Sequence, residues 1–175
     1  MAAGLRARHP VVEVRTAVGD IASAEAELAA LRTTLQNPVL ETQRAAVNSA
    51  KSILTISEHS LAGEIANAKG DFEDAIAHFT VAVDLQDKLR YMEPPDWIQS
   101  MRLFLGQAYL NAGKPELAEP VFLEDLSLLQ ENGWALHGLA DALEAQNKTA
   151  EAAVVRERFS EAWEGADVEL TKAHF

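Results

Sequence analysis

Residues 68–85, AKGDFEDAIAHFTVAVDL, and residues 111–128, NAGKPELAEPVFLEDLSL, repeat a glycine, an alanine and a phenylalanine at one spacing. Gly70, Ala75 and Phe79 return as Gly113, Ala118 and Phe122, each displaced by 43 residues. A helix, a tight turn and a second helix cannot bury their apolar faces alone. Units of this kind stack, and stacking demands the same residue classes at the same offsets. The glycines fall where one helical pattern ends and the next begins, where a left-handed residue turns the chain without a Cβ clash. Small Ala75 and Ala118 let two helices approach, and Phe79 and Phe122, one turn further along the same face, fill the groove between them.

Gly63 and Gly106 each lie seven residues before a turn glycine. Both fall inside helical patterns, where glycine costs about 1 kcal/mol relative to alanine. Close packing against a partner helix is the expected compensation. Gly19, Ala24 and Leu28 start the same pattern near the N-terminus, and Asn147 and Ala152 continue it 34 residues beyond Gly113 and Ala118. Aligning Gly138 with Gly106 instead gives a step of 32, so two registers stand open for the first helix of the last unit. Alanine, leucine and glutamate dominate and no apolar pattern of period two is present, so the expectation is an all-α chain without strands. One long helix is expected from about Glu41 to Lys69, because Val47, Leu54 and Leu61 recur at sevens. Pro94-Pro95 interrupts the next pattern, and Asp96 is expected to cap the helix that follows.

A small residue, then Gly or Ala, an aromatic, a turn Gly, Ala and Phe over a helix pair resembles the tetratricopeptide repeat (TPR), whose period is about 34 residues. The likeness implies a single domain over 1–175: a right-handed α-solenoid of stacked antiparallel helix pairs. Its units span about 5–36, 41–92, 96–131 and 133–163, with a capping tail over 164–175. The segments EPPDW, VFLEDL and ENGWALHGLADALEAQ are similar to the C-terminal part of long bacterial TPR proteins of unknown function.

In that family the first helix of each unit lines a concave groove. The resemblance assigns groove positions to Ser57, Ser60, Glu64, Asn67 and Ala68 in one unit, and to Ser100, Leu103, Gln107, Leu110 and Asn111 in the next. The subclass that clamps chaperone tails uses Lys, Arg and Asn on these helices. Ser57, Ser60, Ser100 and Leu103 offer no positive charge, so binding to such tails is not expected. Tyr91 and Trp97 sit on the connector, as anchors for a partner or as pins against neighbouring helices. Trp134 and Trp163 have apolar neighbours in helical register and read as structural. Arg102 is expected to form an exposed pair with Glu93 or Asp96, contributing less than ~1 kcal/mol.

The net charge of −12 is graded along the chain, about +1 over 1–55, −5 over 56–113 and −8 over 114–175. Nucleic-acid binding requires a basic stripe that displaces counterions, and none is present. A neutral or basic protein segment suits such a surface. There is no cysteine, hence no thiolate chemistry. No apolar run reaches ~20 residues, so no membrane association is expected, and the location is expected to be cytoplasmic. His9, His59, His78, His137 and His174 are scattered without metal-ligand spacing, and Glu58 is expected to point off a different helix face from His59. Neither a phosphate loop nor a nucleophile elbow occurs, so no catalytic residue, metal or cofactor is expected.

The reading is a non-catalytic interaction module. The alternative is an accessory subunit or C-terminal section of an enzyme assembly, docked to a catalytic partner. The first unit begins almost at Met1, and an exposed apolar edge there is expected to favour self-association.

Overall fold

The computed structural model describes residues 20–173. Seven α-helices follow one another among them: α1 (Ile21–Leu35), α2 (Ala50–Lys69), α3 (Phe72–Gln86), α4 (Met101–Asn111), α5 (Pro115–Leu128), α6 (Gly133–Ala145) and α7 (Thr149–Ala162). Each packs against the next in chain order, and α4 also touches α6. No described helix is long and apolar enough to cross a membrane.

The repeated turns are built alike. Gly70 and Gly113 adopt φ of 82° and 69°, and Asn147 takes the same left-handed conformation at 62°. The next residue's N–H then closes the helix end: Asp71 donates to Ala66 O, Lys114 to Tyr109 O and Lys148 to Leu143 O, at 2.9–3.0 Å. These bonds satisfy carbonyls that a helix terminus leaves open. Asn147 therefore takes the place of Gly113 in an equivalent turn 34 residues further on. Gly19, which would open the series, lies outside the described residues, as do His9 and the N-terminal edge.

Five residues past each turn sits a small buried alanine: Ala75, Ala118 and Ala152, with Ala24 in the equivalent place on α1. Phe79 and Phe122 are almost wholly buried. A Cβ added at Gly63 would stand 2.5 Å from the Phe79 ring, and one added at Gly106 would overlap the ring of Phe122. The mid-helix glycines thus make room for rings from the following helix. Phe79 also meets Phe104 of α4, with centroids 5.7 Å apart, so its ring also joins α3 to α4.

Several expectations are corrected. The helix over 41–69 begins only at Ala50. Ahead of it come a 3-10 turn (Pro38–Glu41) and a hairpin of two short strands, β1 (Arg44–Ala45) and β2 (Asn48–Ser49). Val47 lies there, exposed rather than on a helical stripe. The competing interaction is made by Asn48, which is buried. Its Nδ2 donates to Arg90 O (3.0 Å) and Asp96 Oδ2 (2.8 Å), while its Oδ1 accepts from Arg90 N–H (2.8 Å). A helix through residue 48 would forgo this latch.

Asp96 serves that latch instead of capping α4. The N-cap position belongs to Ser100, and Gln86 of α3 completes the end: its Oε1 accepts from Met101 N–H (2.8 Å) and its Nε2 donates to Gln99 O (2.9 Å). Arg102 is buried, not exposed, and its partners are neither Glu93 nor Asp96. It grips Asp87 with two bonds (2.8 and 2.7 Å) and reaches Glu124 at 3.1 Å, tying α4 to the end of α3 and to α5. These charge-assisted bonds raise the guanidinium's proton affinity above its ordinary value despite burial.

Candidate functional site

Three residues assigned to the groove form one hydrogen-bonded row. Asn111 Nδ2 donates to Asn67 Oδ1 across α4 and α2 (2.8 Å), and Gln107 Nε2 donates to Asn111 Oδ1 (3.0 Å). Gln107 Oε1 accepts the backbone N–H of Ala173 (2.9 Å). The C-terminal segment therefore extends beyond its own helix pair onto α4. Carboxamides carry donors and an acceptor on one group, so such a row matches the alternating N–H and C=O of a peptide. Dipoles aligned head to tail along it strengthen one another.

The other assigned residues are distributed differently. Ser60 and Leu103 are buried, while Glu64 is half-buried. Leu103 faces a cleft between the connector and the α5–α6 turn, shared with Ile98, Phe104, Leu128, Leu129 and Trp134. Tyr91 is 85% exposed, and its hydroxyl is hydrogen-bonded to Glu93. Trp97 is half-buried against the main core, the position of a pin. Trp134 and Trp163 meet edge to face, with centroids 5.5 Å apart.

Polar groups that sequence reasoning did not single out organise the surroundings. Asp125 is 1% exposed and accepts from Asn132 Nδ2 at 2.8 Å. Burial drives its carboxyl above the ordinary range, against the pull of Ser100, Asn132 and Arg102. Asn132 also caps α6 by accepting from Trp134 N–H (3.3 Å). Asp125 thereby links α5 to the start of α6. The aspartate in VFLEDL occupies a helical position facing the seam, and its pairing with an asparagine seven residues on was the available signal.

Two of the three described histidines meet in space, and His174 lies outside the described residues. His59 and His78 approach Nδ1 to Nδ1 at 3.0 Å. Contrary to the expectation of separate faces, Glu58 Oε2 lies 3.5 Å from His59 Nε2, and Arg32 of α1 holds Glu58 at 2.8 Å. Burial pushes the His59 imidazole below its ordinary value, opposed by Glu58 and assisted by His78 and Arg32. His137 is lowered too, again chiefly by burial, with Asp141 opposing. Arg156, which stands where the earlier units have phenylalanine, reaches His137 Nδ1 (3.2 Å), Asp141 (2.5 Å) and Glu144 (3.0 Å). Among the described residues, no three or more His, Asp or Glu side chains converge as a metal would require.

Compared with protein-family models, with curated proteins and with solved structures, the chain has no match.

Proposed function

We propose that this protein is a TPR-like interaction module: a right-handed stack of helix pairs that binds an extended protein segment along a concave groove. The observation that carries the reading is the row Asn67, Asn111 and Gln107, whose last member already accepts a main-chain N–H. A side-chain row that hydrogen-bonds backbone recognises an extended segment largely irrespective of its side chains, and neighbouring pockets then supply selectivity. The net charge of −12 favours a neutral or basic partner by electrostatic complementarity. Repetition of the turn geometry at Gly70, Gly113 and Asn147 supports the stacked arrangement.

The test is capture from the native host followed by mass-spectrometric identification, using the unmodified chain and the Asn67→Ala/Gln107→Ala/Asn111→Ala variant in parallel. The expected result is a partner retained by the first and lost by the second at unchanged circular dichroism. Equal retention by both would move the site off the row.

A second reading, an accessory subunit of an enzyme assembly, draws on the apolar cleft with Ile98 and Leu128 exposed at 83% and 63%. It predicts a stoichiometric partner that survives the row substitutions and is released by Ile98→Asp/Leu128→Asp.

A further inference from the structure

The non-helical segment after α7 is held at three points. Trp163 Nε1 donates to Val168 O at 2.7 Å, which folds the chain back just past the helix. Leu170 is then buried while residues 164–169 are exposed. Ala173 is fully buried within the main core cluster and donates its N–H to Gln107. Its methyl group lies over Gly138 of α6, where an added Cβ would stand 2.8 Å from Ala173 Cβ. Gly138 thus leaves a slot that the ring of Phe122 shares with the one small side chain of Ala173, and the Ala173 N–H ties that slot to the amide row at Gln107.

We infer that this slot is the anchoring subsite of the groove. It takes an extended segment with a leucine three residues before an alanine or another small residue, as in Leu170–Ala173, and the tail holds it in cis until a partner segment displaces it. This rests on the groove reading proposed above. Among its described residues the tail buries two apolar side chains, Leu170 and Ala173, and segments with few buried contacts open at low free-energy cost. Tethering nevertheless gives it an effective concentration in the millimolar range. A partner must therefore bind against an occupied site, and its apparent affinity falls by the fraction of molecules that are open.

The test uses a fluorescent peptide of residues 166–173, blocked at both ends, titrated against the full chain and against two tail-release variants, Ala173→Arg and Leu170→Asp. Each release variant should bind the peptide at least about tenfold more tightly than the unmodified chain, and adding Gln107→Ala to either should reverse the gain. On the unmodified chain, excess peptide should accelerate hydrogen exchange at the Ala173 amide, a readout that does not depend on the variants folding. Equal binding by unmodified and released chains, or no binding by any of them, overturns the proposal. So does a concentration-dependent dimer that Ala173→Arg converts to monomer, because the tail would then sit in a second copy. A captured partner that needs the amide row yet ignores tail release would sink this inference and leave the groove reading standing.

Discussion

The ring of Phe122 fills the space that a side chain at Gly106 would need, and it reaches Gly138 on α6 as well. One aromatic side chain therefore closes the seam between α4 and α5 and the seam between α5 and α6. Phe79 takes the corresponding place on α3, against Gly63 of α2 and Phe104 of α4.

Removing either ring leaves a cavity that stacked helices can collapse into only partly. Phe122→Ala and Phe79→Ala should each cost about 3–5 kcal/mol in urea unfolding. Gly106→Ala should cost about 1–3 kcal/mol by overpacking, and combining it with Phe122→Leu should recover part of that loss. Exposed Val81 is the control, and Val81→Ala should shift stability by less than about 0.5 kcal/mol.

Asn147 holds a left-handed conformation that glycine fills in the two earlier turns. Asn147→Ala should cost about 1–2 kcal/mol. Asn147→Gly should be within a few tenths of neutral. Thermal unfolding of the two variants distinguishes backbone strain from loss of the amide.

Arg102 is buried, but its partners Asp87 and Glu124 are substantially exposed. Water can resolvate the carboxylates if the guanidinium is removed, whereas the guanidinium is stranded if they are removed. Asp87→Ala/Glu124→Ala should therefore be the more damaging change, by about 3–5 kcal/mol, and Arg102→Met the milder one. The reverse order in chemical denaturation would contradict this account of the pair.

His59 and His137 both hold protons less readily in the folded chain than at the ordinary value of 6.5. The stability linked to them is complete above that value and is lost as the pH falls through the lowered folded values. Glu58 and Asp141 limit the effect, while Arg32, His78 and Arg156 enlarge it. Unfolding followed from pH 7.5 to 5 should show stability declining on the acid side, with a shallower decline in His59→Gln/His137→Gln.

Much of this architecture was legible because its determinants are local and repeated. Gly70, Ala75 and Phe79 lie within one turn and the helix after it, so a second copy at Gly113, Ala118 and Phe122 exposed the rule. The row Asn67, Gln107 and Asn111 was reachable through the resemblance to the TPR family, which assigns those positions to one groove. What escaped depended on contacts distant in sequence. Val47, Leu54 and Leu61 imitate a helical stripe, and only the bonds of Asn48 to Arg90 and Asp96 show why the chain leaves the helix there. The partners of Arg102 lie on two other elements, and Ala173 meets Gln107 66 residues away. Neither periodicity nor composition encodes such pairings.

The most direct measurement of the central claim is the side-chain amide NMR spectrum of the protein on addition of the captured partner segment. The account predicts that the largest shifts fall on Asn67, Gln107 and Asn111, accompanied by the backbone amide of Ala173. Shifts confined to Tyr91, Trp97 and Ile98, with the three carboxamides unmoved, would contradict it.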